Sequence, residues 1–200
     1  MKRRKKLTRG WDFSLVRHAC LIVVTGMPGA GKDELIQVCV DEGFTDLHMG
    51  NAVRKFAAES EIPVSDADIG KFATSEREKF GKDVWARRTL MNVESPLVVI
   101  DGLRSTEELD FFIREAEADR SCLIAVFANR KTRLDRIVKR NRMDDVHTLS
   151  ELVRRDNREL EWGVGKAIAL ADIMLVNEST LDDFRAEARG IIRNILGRGC

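Results

Sequence analysis

The sequence predicts an α/β protein, with a five-stranded parallel sheet inside a three-layer α/β/α sandwich, and three observations carry that expectation. Short apolar runs rich in β-branched residues, Cys20–Val24 and Leu97–Ile100 among them, read as strands buried on both faces. Helical segments alternate with these runs, the pattern that crossovers between parallel strands produce. The first run leads directly into a glycine-rich loop closed by a lysine, Gly26–Lys32.

Taken in order, Cys20–Val24 is the first strand and Gly26–Gly31 the loop. A helix follows from about Lys32 to Glu42, stopped by Gly43. Thr45–His48 is a short second strand. Residues 51–93 read as mainly helical, with breaks expected around Ile62-Pro63-Val64 and Gly70. Pro96 introduces a third strand that ends on Asp101-Gly102, and Ser105-Thr106-Glu107-Glu108 has the capping-box pattern that opens a helix. Cys122–Ala128 is a fourth strand. The charged helix after it carries Leu134, Ile137 and Val138 on one side. Thr148-Leu149-Ser150-Glu151 caps another helix, Ala171–Val176 is the fifth strand, and Thr180–Leu196 a final amphipathic helix. Ligands of such sheets sit at the carboxyl ends of the strands.

At 200 residues, 44% hydrophobic and 34% charged, the chain suits one core. The reading is a basic extension over 1–18 and a single domain over 19–200. No apolar run approaches the roughly 20 residues that span a bilayer, so no membrane partner is expected and the location is read as cytoplasmic. The net charge is +1, but five positive charges lie at positions 2–6, which leaves −4 on the remainder. Any nucleic-acid contact is therefore expected through the basic tail alone. Cys20, Cys39, Cys122 and Cys200 form no C-x-x-C pair, so neither a zinc site nor a disulfide framework is expected.

Gly26-Met27-Pro28-Gly29-Ala30-Gly31-Lys32 matches G-x-x-x-x-G-K between a strand and a helix. Such a loop turns successive N–H groups towards phosphate oxygens, the helix N-terminus adds its dipole, and Lys32 adds a full charge. The chemistry expected is ATP binding with Mg²⁺. The residue after the lysine is Asp33, where a Ser or Thr usually supplies a hydroxyl to the metal. Asp33 either holds the metal, directly or through water, or serves as a favourable anion in the first helical turn. Asp101, at the end of a buried strand one crossover later, is expected to complete the Mg²⁺ site or orient the acceptor. Arg104, three residues on, is a candidate for a substrate phosphate.

These residues resemble the adenylate-kinase-like nucleoside monophosphate kinases and the dephospho-CoA kinases. Met49-Gly50-Asn51-Ala52-Val53-Arg54 stands where adenylate kinases carry T-G-D-M-L-R; the resemblance implies that Gly50 and Arg54 meet the acceptor's phosphate. Asp101-Gly102-Leu103-Arg104 is similar to D-G-[FY]-P-R, without the proline and one residue shorter. Arg133–Asp145 resembles the R-L-x-x-R…R-x-D-D entry to the lid, although no separately folded lid follows it. Ala171–Glu178 resembles the A-D-x-x-I-x-N-x-G close of dephospho-CoA kinases, which implies a nucleotide contact for Asn177. As a whole the chain resembles a group of archaeal adenylate-kinase-related proteins. The implied fold is a P-loop NTPase of nucleoside-monophosphate-kinase type, with an acceptor-binding helical segment at about 50–93 and a short lid at about 136–158.

Arg136 and Arg140, at i and i+4, share a helix face and are expected to reach the transferring phosphoryl group. His18, His48 and His147 have no partner at catalytic or metal spacing, and only His48 is placed to border the acceptor pocket. Trp11, Trp85 and Trp162 are expected in the core or at interfaces. The leading reading is a kinase moving the ATP γ-phosphate to a nucleoside monophosphate or a dephospho-CoA-like hydroxyl. A regulatory or assembly ATPase acting on a protein or RNA is the alternative, and a nucleotide-binding module without turnover is the third.

Overall fold

The structure, a computed structural model, describes residues 20–63, 65–90, 95–116, 121–141 and 145–198. The basic extension, Trp11, His18, Arg142–Asp144 and Cys200 lie outside the described residues.

Strand β1 (Cys20–Thr25) alternates its side chains between two cores, as the two-residue period of a strand requires. Cys20, Ile22 and Val24 face one cluster, and Leu21 and Val23 face the other. The loop then leads into α1 (Lys32–Asp41), β2 (Thr45–His48) and α2 (Met49–Glu59). Helices α3 (Asp66–Phe80) and α4 (Val84–Thr89) come before β3 (Leu97–Leu103). After α5 (Thr106–Ala116) come β4 (Ser121–Phe127), α6 (Arg130–Arg140) and α7 (Leu149–Trp162). Helix α8 (Val164–Ala169), β5 (Ile173–Val176) and α9 (Leu181–Arg198) complete the chain.

All strand pairs are parallel, in the order β2-β3-β1-β4-β5. One face of the sheet carries α1 and α9, with Leu35, Ile36, Phe184 and Ile192 in its core. The other face carries α2, α4, α5 and α8, with Trp85 and Phe112 fully buried. Burial of each such side chain stabilises the fold by about 1.5–3 kcal/mol. The two layers of helices therefore sandwich the sheet, as the apolar runs require.

Three local expectations need correction. The break at Gly70 does not occur, because α3 runs through it and the glycine instead lets Arg158 lie close, as described below. Strand β3 does not end at Asp101 but continues to Leu103, where the Thr25 hydroxyl donates to the Leu103 carbonyl at 2.9 Å. Val138 does not anchor α6: it is 42% exposed, and Ile137, with Leu134 beside it, does the anchoring. The capping boxes expected at Ser105/Glu108 and Thr148/Glu151 both form. Cys20 and Cys39 are buried free thiols. Among the described residues no helix is long and apolar enough to cross a membrane.

Candidate nucleotide-binding site

The loop Gly26–Gly31 leaves β1 at the carboxyl edge of the sheet and is held from three sides. From α6, Arg133 donates to the Pro28 carbonyl at 3.0 Å while gripping both oxygens of buried Asp156 at 2.8 and 2.6 Å. Arg136 donates to the Ala30 carbonyl at 3.2 Å and to the Asn177 side-chain oxygen at 3.1 Å. Asn177, buried after β5, donates to the same Ala30 carbonyl at 3.0 Å. Gly31 has φ +98°, and a Cβ there would stand 2.0 Å from the Asn177 amide nitrogen. Only glycine permits both that backbone and that approach. Lys32 is turned back on the loop, donating to the Gly26 carbonyl at 3.0 Å. Burial pushes its pKa below the usual lysine value, against the opposing pull of Asp101.

A cleft of about 470 Å³ opens beside the loop and is bordered by Lys32, Asp33, His48, Asp101, Arg104 and Arg140. A second, of about 450 Å³, lies on the other side of Lys32 between the loop, Arg136, Asn177 and Leu181. Asp33 is exposed in the first turn of α1 and borders both. The two clefts, one on each side of the lysine, divide the site into two compartments.

Asp101 meets the loop strand directly, since its register partner on β1 is Val24 and on β2 is His48. Its Oδ2 lies 3.3 Å from His48 Nδ1, and the other ring nitrogen is 3.0 Å from an Asp46 oxygen. The Asp101 bond is the largest influence raising the His48 pKa, which burial partly opposes. Burial by itself would raise the Asp101 pKa, but the His48 bond and the Lys32 charge outweigh it and leave the group below the ordinary value. The second carboxylate oxygen, Oδ1, is buried without a hydrogen-bond partner among the described residues. His48, expected to border the acceptor pocket but without a partner, is thus paired with Asp101. The available signal was its position two residues after Asp46, which puts both side chains on one face of a strand.

The expected acceptor residues also border the first cleft. Gly50 and Arg54 come from the start of α2, where Arg54 donates to Asn51 at 2.9 Å. Arg104 borders the cleft too, but its Nε is bound to buried Glu159 at 2.6 Å and an Nη to the Gly102 carbonyl at 2.7 Å. Burial disfavours its charge, yet Glu159 more than compensates and the pKa lies above the usual arginine value. Arg140 is bound to Asp145, with Nε at 3.0 Å from the carboxylate. Arg136 and Arg140 do share one side of α6, both bordering the second cleft. Neither the Arg133–Asp156 pair nor the Arg104–Glu159 pair was legible in advance, because each joins residues dozens of positions apart.

A phosphate-binding loop, a lysine and a strand aspartate on a parallel sheet of this order define a P-loop nucleotide-binding domain of kinase-like fold. Comparison with known proteins agrees. A family model described as an AAA domain matches residues 22–161. A UPF0200 protein of Thermoplasma volcanium is 53% identical over 173 residues, covering 86% of this chain and 96% of its own. One from Hyperthermus butylicus is 37% identical, covering 91% of this chain and 98% of its own. The chain belongs to this UPF0200 family of archaeal proteins, within the P-loop class. Among solved structures, TT1252 of Thermus thermophilus is similar at a TM-score of 0.56 and 17% identity, covering 89% of this chain and 98% of its own. A gluconokinase of Sinorhizobium meliloti is similar at 0.52 and 17%, covering 90% and 94%. A shikimate kinase of Acinetobacter baumannii, solved with shikimate, is similar at 0.55 and 14%, covering 90% and 94%. At these identities the likeness is one of fold.

Proposed function

We propose that the protein is an ATP-dependent phosphotransferase that moves the γ-phosphate to a small, nucleotide-like acceptor bound in the first cleft. The observation that carries this reading is Asp101, a half-buried carboxylate whose Oδ1 is buried without a hydrogen-bond partner among the described residues, bordering the same cleft as Lys32. Phosphoryl transfer asks little covalent chemistry of the protein; it asks for positioning and for positive charge around the transferring group. In this reading Lys32 leaves the loop carbonyls for the phosphates, and Asp101 orients the attacking hydroxyl or phosphate oxygen. Arg136 and Arg140 border the phosphate path from α6, and Gly50, Arg54 and Arg104 border the acceptor's.

The donor set also suits Mg²⁺, which takes one or two carboxylates and fills its remaining positions with phosphate oxygens and water. Asp33 and the free Oδ1 of Asp101 would hold it. When bound, the ion would neutralise charge on the phosphates.

A second reading, a regulatory or assembly ATPase, is favoured by Asp33, which stands where a hydroxyl usually serves the metal. Measurement of ADP release by the purified protein, with and without nucleoside monophosphates and dephospho-CoA, separates the two. Acceptor-dependent ADP is the expected result. ADP formed at the same rate without any acceptor would replace the kinase with the ATPase.

A further inference from the structure

Behind the first cleft, between α2, α3 and α7, lies a small chamber of about 50 Å³. It shares Gly50, Arg54, Arg104, Arg155 and Glu159 with the cleft and so opens into it, whereas Lys32 and Asp101 border the cleft but not the chamber. Its wall carries five guanidiniums, from Arg54, Arg77, Arg104, Arg155 and Arg158, against two carboxylates, Asp66 and Glu159. Glu108, fully buried behind Arg77, adds a third negative charge at 2.8 Å and still leaves the arginines in excess.

Several of these arginines have donors that no described group accepts. Arg77 is 8% exposed and gives one nitrogen to Glu108, but its Nε and its other Nη are buried and unpartnered. The same holds for Nε of Arg158. Arg155 is held by ion pairs, its Nε 3.3 Å from Asp66 and one Nη 3.8 Å from Asp145, and neither nitrogen makes a hydrogen bond to a described group. Asp66 takes the other end of Arg158, at 2.7 and 2.8 Å, which aligns the two helices. Gly70 allows this packing, since a Cβ there would lie 2.6 Å from Arg158 Nε. Trp162 floors the chamber, with the Arg77, Arg104 and Arg158 guanidiniums 4.6, 5.8 and 5.5 Å from its ring.

Buried donors without acceptors are costly, at about 1–3 kcal/mol each, and a surplus of buried positive charge costs more. A ligand that accepts those bonds recovers the cost on binding. A carboxylate is served in full by one coplanar arginine fork, whereas these donors come from three separate guanidiniums on two helices. That arrangement suits a tetrahedral oxyanion.

We infer that this chamber is a phosphate subsite for the acceptor, which anchors a phosphomonoester group at the end of the molecule remote from the reacting atom. The inference rests on the phosphotransferase reading above and narrows its substrate class. The acceptor carries a phosphate that is not itself phosphorylated, together with an accepting oxygen that reaches Asp101.

The test is calorimetric titration of inorganic phosphate into the full chain with saturating ADP present, so that the loop is occupied. The variants are Arg77→Lys, which keeps a charge for Glu108 but removes the unpartnered donors, and Arg158→Gln, which leaves Asp66 to Arg155. The expected result is one phosphate-binding event in the parent, weakened about tenfold or more in both variants, with ADP affinity unchanged and a cooperative unfolding transition retained. A failure of Arg77→Lys to fold leaves Arg158→Gln to decide the matter. Phosphate that binds both variants as it binds the parent, or that does not bind the ADP-saturated parent, overturns the subsite. Variant-sensitive phosphate binding in a protein that takes up no ADP supports the subsite and overturns the kinase reading.

Discussion

The loop side and the acceptor side of the cleft are finished to different degrees. Around the loop the main polar groups are already bonded: Lys32 to Gly26, Arg133 to Asp156 and Pro28, Arg136 and Asn177 to Ala30. Around the proposed acceptor chamber, and at Asp101, buried donors and an acceptor have no hydrogen-bond partner among the described residues. The loop backbone is thus held in shape by the protein itself, and in the proposed reading Lys32 is the group that must move for phosphates to bind. In the proposed reading, a ligand on the acceptor side has bonds to complete. The contrast teaches that the loop half is already internally bonded, whereas the other half keeps buried polar groups for which no described residue is a partner.

The sharpest test of that contrast is Asp101→Asn. Loss of the carboxylate is expected to cost turnover about 10²–10⁴-fold while ATP still binds, because the loop does the holding. A variant that turns over ATP like the parent would reduce Asp101 to a structural group. The next largest effect concerns the scaffold itself. Arg133→Met strands the Asp156 charge in a buried setting and is expected to destabilise the fold by about 3 kcal/mol in urea unfolding. Replacing both members, Arg133→Met with Asp156→Leu, should recover most of that loss. A single variant as stable as the parent would show that the loop needs no buttress.

A smaller effect is expected from Arg136→Ala with Arg140→Ala. If these residues serve the transferring group, kcat falls about tenfold, roughly 1.4 kcal/mol, with less change in ATP affinity. An unchanged kcat would confine both arginines to a structural role. The smallest effect lies far from the chemistry, at the cap of α7. The Glu151 carboxylate accepts backbone N–H bonds from His147 and Thr148. The His147 bond, first, and the Thr148 bonds hold its pKa below the ordinary 4.5. A depressed folded pKa means that this stabilisation is present above the ordinary value and is lost as pH falls through the lower folded one. The gap in urea midpoint between the parent and Glu151→Gln should therefore close on acidification below about pH 4.5. A gap that stays constant with pH would remove the cap's charge from the account.

Much of this arrangement was legible in the chain because its signals are local. Gly26–Lys32 needs only adjacent residues to define a phosphate loop, and the capping boxes at Ser105 and Thr148 need only four residues each. The two-faced burial of β1 follows from an unbroken apolar run. The pairing of His48 with Asp101 was not legible because it depends on register: it arises only once β2 lies against β3 with His48 opposite Asp101. Gly70 was misread for a related reason, since a glycine inside a helix weakens it unless something must come close, and Arg158 lies 88 positions away.

The sequence by itself determined the order of strands and helices, the parallel sheet and the phosphate loop. Each of these is dictated by contacts or conformational preferences within about ten residues, where chain order and spatial order coincide. Only the tertiary structure decided which charges are paired and which are left over. It joined Arg133 to Asp156 and Arg104 to Glu159, and it left Arg77 and Arg158 with donors that no described group accepts. An isolated arginine in a sequence is simply a solvated charge. Whether it becomes a strut or a binding group depends on burial and on the nearest carboxylate, and both are set by segments that meet only when the chain has folded.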